Sequence, residues 1–311
     1  MTEHSLFIAQ RSAPLFSRVA IIGFGLIGSS IARAIKQAKL ADKIIAIDQS
    51  ITVLGTINHL KLADEIYEDA VEGVKDADLV ILCIPVGACK AITSYIAPAL
   101  KVGAILTDVG SVKSTFVEQI APLLPEHVAF VPAHPVAGTE FSGPEAGFSH
   151  LFINRWCILT PLENTPTQAT GQVRQLWEAM GSIVEEMTPQ HHDLVLAITS
   201  HVPHLIAFSI VGTAADLEQV TQSEVIKFSA GGFRDFTRIA ASDPIMWRDI
   251  FLNNKDSVLE ILGRFNEDLA TLAKAVRWGD GEMLERFFTR SRSVRSAIVQ
   301  LGQAETAKKS D

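Results

Sequence analysis

The stretch of sequence that decides the fold is Val19-Ala-Ile-Ile-Gly-Phe-Gly-Leu-Ile-Gly28. Its first four residues are apolar and mostly β-branched, which predicts a buried strand, and its three glycines have the G-x-G-x-x-G spacing. Apolar residues at helical spacing continue to Lys39, and a second apolar run, Ile44–Ile47, ends directly before Asp48. This order of strand, turn, helix and strand predicts a βαβ unit that binds a dinucleotide.

The glycine turn and Asp48 together predict the cofactor. A pyrophosphate is expected at the helix N-terminus, where free N–H groups and the helix dipole favour an anion. Asp48 is expected to accept hydrogen bonds from an adenosine ribose and to repel a 2′-phosphate, so NAD is favoured over NADP. The turn residues predicted to contact NAD are Gly23, Phe24, Gly25, Leu26, Ile27 and Gly28.

Composition limits the classes of protein that this chain can belong to. Its 311 residues are enough for about two domains, and its net charge of −8 argues against a nucleic-acid or anionic membrane partner. The 3 cysteines form no C-x-x-C pair, so we predict neither a disulfide framework nor a metal site. Met1–Ser17 lacks the pattern of a signal peptide, and no uninterrupted run of about 18 apolar residues predicts a membrane span. The expected compartment is the cytoplasm.

Strands and helices alternate through the N-terminal part of the chain. The apolar runs Asp78–Ile84, Ala104–Asp108 and Val128–Val131 are separated by helical segments. Arg155–Thr160 and Ser182–Glu185 predict two later strands. This alternation is typical of an α/β fold and predicts a doubly wound, mostly parallel sheet of the Rossmann type.

The pattern becomes helical after Pro189. One stripe at helical spacing consists of Val258, Ile261, Leu262, Phe265, Leu269, Leu272 and Val276. We therefore predict a dinucleotide-binding domain over residues 1–187 and an all-helical domain over residues 188–311. An apolar helical domain attached to such a fold often supplies a dimer interface, so a homodimer through this domain is expected.

Two loops are predicted to follow strands at the carboxyl edge of the sheet, where open α/β sheets bind ligands. One carries Ser111, and the other carries His134 directly before Pro135. Beside a nicotinamide, His134 can accept the proton of a hydroxyl whose carbon loses hydride. Ser111 can hydrogen-bond the histidine or the same hydroxyl. A capped or surface histidine and an N-capping serine are the alternatives.

The helical part contributes two further candidates. His204 follows Pro203, which removes a backbone donor and is expected to kink the helix; a buried, hydrogen-bonded histidine is the alternative. Arg238 follows Gly231-Gly232 and can hold a carboxylate with two parallel hydrogen bonds. The alternative for Arg238 is a solvated surface arginine.

Several motifs can be compared as a set. They are Gly23–Ser29, Asp108–Lys113, His134–Glu140, Ser200–His204, Asp235–Ala240 and Ser242–Asp249. As a set they resemble the prephenate/arogenate (cyclohexadienyl) dehydrogenases of tyrosine biosynthesis, over nearly the whole chain. The resemblance implies NAD-dependent oxidative decarboxylation of prephenate or arogenate, to 4-hydroxyphenylpyruvate or tyrosine. It also implies a dinucleotide domain followed by a helical dimerisation domain.

The resemblance implies a role for each candidate residue. His134 takes the hydroxyl proton of the substrate, with a titration near its reference pKa of about 6.5, and Ser111 orients it. Arg238 binds a substrate carboxylate, and His204 helps to position the other end of the substrate. Four residues are expected to line the substrate pocket, to gate it or to select between substrates: Thr139, Glu140, Asp235 and Trp247.

Other functions remain open at the level of sequence. A β-hydroxyacid dehydrogenase or ketopantoate reductase shares both domains but is expected to rely on a helix-borne lysine, and Lys227 has no supporting motif. A non-catalytic NAD-binding protein is the alternative from another class, and it leaves His134, Ser111 and Arg238 unexplained. The side chain of prephenate carries a keto group where that of arogenate carries an ammonium group, and the sequence does not decide which of the two is the substrate.

Overall fold

A computed structural model describes residues 13–139, 141–218 and 227–300. Glu140 therefore lies outside the described residues, and its role at the pocket stays a prediction. The chain divides after Val258 into two compact units. The predicted domain boundary between residues 187 and 188 also stays a prediction.

A six-stranded parallel sheet forms the centre of the first unit. Its strands are β1 (Phe16–Ile22), β2 (Ala41–Ile47), β3 (Glu65–Tyr67), β4 (Leu79–Leu82), β5 (Ile105–Asp108) and β6 (Ala129–Val131). Their order across the sheet is β3-β2-β1-β4-β5-β6, and each neighbouring pair is parallel. From β1 the sheet is extended on one side by β2 and β3 and then on the other side by β4, β5 and β6. The neighbouring strands β1 and β4 therefore form the topological switch point, and ligands bind at the carboxyl edge of such a point. The predicted doubly wound sheet is confirmed.

Helices cover both faces of this sheet. They are α1 (Leu26–Ala38), α2 (Ile51–His59), α3 (Ala70–Val74), α4 (Val86–Ile96) and α5 (Ser114–Ile120). Val19 and Ile21 belong to the apolar cluster that contains residues of α1, whereas Ala20 and Ile22 belong to the cluster that contains residues of α4 and α5. Successive side chains of a strand point to opposite faces, so a strand covered on both faces needs an apolar residue at every position.

The two later strands belong to a second sheet. Its strands are β7 (Ala133–Pro135), β8 (Trp156–Leu159) and β9 (Ile183–Glu186), with α6 (Thr167–Ala179) between β8 and β9. β7 is antiparallel to β8, and β9 is parallel to it. Pro132, which has no N–H to donate to a ladder, separates β6 from β7. His134 is consequently a strand residue opposite Ile158, and not a loop residue.

The described residues after Pro189 form helices and turns, as the periodicity predicts. The helices are α7 (Pro189–Leu196), α8 (Val202–Glu218), α9 (Gly231–Thr237), α10 (Pro244–Asn253), α11 (Lys255–Trp278) and α12 (Gly281–Gln300). The division between the two compact units falls within α11, and α12 belongs to the second unit.

Pro203 does not end its helix. A π-helical turn, Ala197–His201, joins α7 to α8, and such a turn re-registers the backbone hydrogen bonds just before the proline. The result is a continuous segment, Pro189–Leu217, of 29 residues, and its most apolar stretch of 18 residues has a mean hydropathy of 1.9. By length and composition alone it is long and apolar enough to cross a membrane, a test that the core helix of a soluble protein also passes. However, its N-terminal half carries the buried polar side chains His192 and Asp193.

Candidate active site

The turn after β1 has the shape that a pyrophosphate requires. Gly23 has φ +91°, and a Cβ added there would lie 2.5 Å from the carbonyl oxygen of Cys83. A Cβ added at Gly28 would lie 2.0 Å from the carbonyl oxygen of Gly23, so α1 packs against the turn as closely as the motif predicts. No atom beyond its chain neighbours lies within 4 Å of a Cβ added at Gly25, and no side chain caps the first turn of α1. The N-terminus of α1 thus faces a space that fits an anion.

Asp48 is held in place beside this turn, at the carboxyl end of β2. Its Oδ2 accepts a hydrogen bond from the Phe24 N–H at 3.0 Å, and its Oδ1 accepts one from the Ser50 N–H at 2.9 Å. The side chains of Phe24 and Leu26 are buried in the core, and that of Ile27 packs against it. Phe24 and Leu26 can therefore offer only their backbone to a cofactor, whereas the Asp48 carboxylate is fixed where a ribose is expected.

His134 lies in a line of three buried side chains. It is 6% exposed, and its Nδ1 lies 2.8 Å from Nε2 of His192. The other ring nitrogen of His192, Nδ1, lies 2.8 Å from Oδ1 of Asp193. His192 and Asp193 are consecutive residues of α7, so this line connects the second sheet to the first helix after it.

The carboxylate of Asp193 is held by the backbone at the start of α5. Its Oδ1 accepts a hydrogen bond from the Lys113 N–H and its Oδ2 accepts one from the Ser114 N–H, both at 2.8 Å. Burial alone would raise the pKa of Asp193, but the hydrogen bonds from His192, Ser114 and Lys113 outweigh burial and lower the pKa below its usual value. Asp193 is therefore ionised at neutral pH.

A buried ion pair ties the loop after β5 to β7. Nζ of Lys113 lies 2.5 Å from Oδ2 of Asp108, and both side chains are almost completely buried. Asp108 also accepts hydrogen bonds from the Gly110 N–H at 2.7 Å and from the Ala133 N–H at 3.1 Å. Burial raises the pKa of Asp108, while Lys113 and these N–H groups oppose that change. Ala133 directly precedes His134, so the pair helps to fix the position of His134 along the strand.

His134 is neutral at physiological pH. Burial lowers its pKa well below the usual value, and repulsion from His192, Lys113 and His201 lowers it further. Burial also lowers the pKa of His192, against the opposing effect of Asp193. The titration near pH 6.5 expected from the sequence is thus corrected to a lower pH. A neutral histidine can act as a general base without first losing a proton to solvent.

Ser111 lies in the loop after β5, as predicted. Its backbone lies beside the imidazole of His201 and favours the charged form of that ring. Among the described residues, the hydrogen-bond partner of Nδ1 of His134 is His192, which therefore orients the ring through that nitrogen. The orienting role of Ser111 and its contact with a substrate hydroxyl or with a cofactor stay predictions.

A second group of predicted residues surrounds His204. Its ring stacks on Trp247, with centroids 3.7 Å apart, and its Nδ1 lies 2.8 Å from the carbonyl oxygen of Ser200. A carbonyl can only accept, so Nδ1 of His204 carries the proton and Nε2 has the lone pair when the ring is neutral. Burial lowers the pKa of His204, the bond to Ser200 opposes this, and the charge of Arg238 lowers it further. The charge of Arg238 therefore acts on the His204 ring.

The other predicted pocket residues occupy different positions. Trp247 is buried behind His204 and supports that ring. Thr139 is exposed in the loop after β7, where its Oγ1 accepts a hydrogen bond from the Phe141 N–H at 3.3 Å. Asp235 is exposed on α9, one turn before Arg238. Direct contact of Thr139 or Asp235 with a substrate stays a prediction.

Comparison with known proteins gives two matches that follow each other along the chain. Residues 31–186 match the family model described as prephenate dehydrogenase, nucleotide-binding domain, and residues 188–290 match the one described as prephenate dehydrogenase, dimerization domain. The chain belongs to the prephenate dehydrogenase family. The resemblance drawn from the motifs is confirmed, and so is the helical dimerisation domain after the dinucleotide fold.

Individual members of the family are similar over most of their length. The cyclohexadienyl dehydrogenase of Zymomonas mobilis is 42% identical over 285 residues, which are 91% of this chain and 97% of that protein. The prephenate dehydrogenase of Bacillus subtilis is 36% identical over 281 residues, 90% of this chain and 76% of that protein. The crystal structure of prephenate dehydrogenase from A. aeolicus in complex with hydroxyphenyl propionate and NAD⁺ superposes with a TM-score of 0.85 at 35% identity. That superposition covers 91% of this chain and 98% of the other.

In this member of the family, sequence reasoning missed His192 and Asp193. It also included Asp108 and Lys113 in a motif without giving either a role. One sequence signal was available, because two histidines and an aspartate open an otherwise apolar helix directly after Pro189. Buried polar side chains are rare unless they are hydrogen-bonded, so such a cluster on an apolar helix predicts a network.

The buried histidines predict a loss of stability in acid. Burial, with repulsion from His192, lowers the pKa of His201 to about 4. Below pH 6.5 the unfolded chain takes up a proton there that the folded chain refuses, so the free energy of unfolding falls between about pH 6.5 and about pH 4. We expect His201→Gln to flatten this part of the stability profile, measured by urea unfolding at several pH values. His191→Gln, at an exposed position of the same helical segment, is the matched control. An unchanged slope in His201→Gln would contradict the assignment.

Proposed function

We propose that this chain is an NAD-dependent dehydrogenase that converts prephenate, arogenate or both into 4-hydroxyphenylpyruvate or tyrosine, with release of CO₂. The observation that carries this function is His134, a buried neutral base in a member of the prephenate dehydrogenase family. The fit of the glycine turn and Asp48 to a dinucleotide supports NAD as the cofactor. The cytoplasmic location of the protein stays a prediction.

His134 carries out the proton transfer in this proposal. Bound NAD⁺ supplies the acceptor for hydride. As the ring carbon of the substrate loses hydride, His134 takes the proton of the hydroxyl on that carbon at Nε2, and a carbonyl forms. The ring carboxylate then leaves as CO₂, the electron pair of the broken bond makes the ring aromatic, and the resulting phenolate oxygen takes back a proton to give the phenol. A positioned general base contributes roughly 10²–10⁴ in rate.

Arg238 and His204 bind the substrate in this proposal. Arg238 pairs with a substrate carboxylate, and Nε2 of His204 accepts a hydrogen bond or shares a proton at the same end. The influence of Arg238 on the pKa of His204 supports a common ligand for the two. Thr139, Glu140 and Asp235 are proposed as further pocket residues, and an acidic side chain among them would favour the ammonium group of arogenate.

Asp48 sets the choice of cofactor in this proposal. Asp48→Ser removes a charge-assisted hydrogen bond to the ribose, worth about 1.5–3 kcal/mol, and so raises KM for NAD⁺ roughly 10- to 150-fold. KM for NADP⁺ changes less, because the repulsion of its 2′-phosphate is removed at the same time. Asp42→Ser at the other end of β2 makes the same change of charge away from the cofactor edge and is the control. Initial rates with both cofactors measure the effect, and a wild-type preference for NADP⁺ would refute it.

A homodimer through the helical domain is part of the proposal. The matched dimerization domain spans residues 188–290. Large apolar side chains on its helices and on the end of α12 are exposed in the single chain: Ile210, Val211, Leu217, Leu259, Leu269, Val276, Trp278, Phe288, Val294 and Ile298. Exposed large apolar side chains of this kind, in each of the two compact units, support a second copy of the chain as the partner.

The test of function is NADH formation by the wild-type chain with NAD⁺ and one substrate at a time. We expect turnover with prephenate, with arogenate, or with both, and the ratio of the two values of kcat/KM measures the preference. Turnover only with a β-hydroxyacid such as 3-hydroxyisobutyrate would support the rival dehydrogenase class. Binding of NAD⁺ without turnover of any of the three would support a non-catalytic NAD-binding protein.

A further inference from the structure

The contacts of Asp193, His192 and His134 determine which nitrogen of His134 carries a proton. The ionised carboxylate of Asp193 can only accept, so Nδ1 of His192 donates to it. A neutral imidazole has one N–H, which makes Nε2 of His192 an acceptor. Nδ1 of His134, at 2.8 Å from that atom, must then be the donor. The lone pair of His134 is consequently on Nε2.

This order of donors and acceptors requires both imidazoles to be neutral, and their surroundings keep them neutral. Burial lowers the pKa of both His134 and His192. The positive charge of Lys113 disfavours a proton on either ring, while Asp193 and Asp108 act in the opposite direction on His192 alone. His201 disfavours a charge on His134 as well. At neutral pH a single arrangement therefore satisfies every hydrogen bond of the line: His134 donates to His192, and His192 donates to Asp193.

The line is anchored at its far end from two sides, by the start of α5 and by the residue just after α10. The Asp193 carboxylate receives N–H groups from Lys113 and Ser114 at the start of α5. The backbone carbonyl of Asp193 accepts a hydrogen bond from Nδ2 of Asn254 at 2.9 Å, just after α10. Nδ2 of Asn254 also lies 3.0 Å from Nδ1 of His201. These contacts leave Asp193 little freedom to turn away from His192.

We propose that His192 and Asp193 are positioning residues for the reaction, which hold His134 in its Nδ1–H tautomer and take up the positive charge that the reaction creates on it. As the substrate O–H bond breaks, an N–H bond forms at Nε2 of His134. The proton on Nδ1 of His134 then moves to Nε2 of His192. His134 ends as the neutral Nε2–H tautomer, and the imidazolium lies on His192 beside the Asp193 carboxylate.

Two substitutions of His192 separate the two parts of this role. His192→Leu removes both the acceptor for Nδ1–H and the group that can take the proton. His192→Gln retains an acceptor, its Oε1, but cannot take the proton. A comparable loss of the correct tautomer in a serine protease triad lowers kcat roughly 10⁴-fold, so a fall of roughly 10²–10⁴ in kcat is expected for His192→Leu. We expect His192→Gln to lie between His192→Leu and wild type.

The first readout is ¹⁵N NMR of histidine-labelled protein without substrate, which identifies the protonated ring nitrogen directly. We expect Nδ1–H for His134 in the wild type and in His192→Gln, and a gain of Nε2–H in His192→Leu. The second readout is kcat, with KM for NAD⁺ unchanged. His191→Leu, the exposed neighbour, is the control. If His192→Leu does not fold, the tautomer in wild type and the kcat of His192→Gln carry the test.

The outcomes distinguish this inference from the proposed function on which its catalytic part rests. An Nε2–H tautomer of His134 in the wild type would overturn it, and so would a His192→Leu enzyme with kcat within about threefold of wild type. A purely structural role for His192 would lower the melting temperature without changing the tautomer. If the wild type shows Nδ1–H but forms no NADH from prephenate or arogenate, the proposed function fails while the tautomer assignment stands.

Discussion

His134→Asn is expected to lower kcat roughly 10²–10⁴-fold, because asparagine can form hydrogen bonds but cannot accept the hydroxyl proton. NAD⁺ affinity should hardly change, since the residue lies in β7 and the cofactor turn follows β1. The loss of rate at low pH should disappear together with the side chain. Steady-state kinetics as a function of pH measure both effects.

Two controls separate chemistry from folding in this experiment. His191→Asn changes an exposed histidine beside His192 and should leave kcat unaltered. The melting temperature of His134→Asn should remain near that of the wild type, because Nδ2 of asparagine can donate to His192. Near wild-type kcat in His134→Asn would refute the mechanism, and a persistent acid limb would indicate another base, with His204 as the next candidate.

Arg238→Ala is expected to raise KM for the substrate roughly 10- to 150-fold, since a charge-assisted carboxylate contact is worth about 1.5–3 kcal/mol. KM for NAD⁺ should stay nearly constant. Arg234→Ala, one turn earlier on α9 and also exposed, is the matched control and should have little effect. Arg238→Lys should recover only part of the loss, because lysine cannot form two parallel hydrogen bonds. Equal losses for substrate and NAD⁺ in Arg238→Ala would point to a folding role.

Much of the fold is predictable because its signals are local. The βαβ unit is encoded by the periodicity from Val19 to Asp48, and the long amphipathic stripe of α11 by spacing within one helix. The second sheet was not predicted, because apolar runs identify strands and not their partners. The break at Pro132 gave the only local indication that His134 belongs to a different sheet.

The candidate site was predictable only in part, for the same reason. His134 could be found from its position after a strand, and Asp48 from its distance to the glycine turn. The partner of His134 is 58 residues away in the sequence, and the backbone donor from Lys113 is 80 residues from Asp193. Contacts over such distances depend on how the elements pack, so spacing along the chain does not reveal them.

The central claim is that this chain oxidises and decarboxylates a cyclohexadienyl substrate with NAD⁺. The most direct test incubates the wild-type protein with NAD⁺ and prephenate, then with arogenate, and measures NADH, CO₂ and the aromatic product in the same sample. The account predicts equal amounts of all three for at least one substrate, with 4-hydroxyphenylpyruvate from prephenate or tyrosine from arogenate. NADH without CO₂, or no NADH with either substrate, would contradict it.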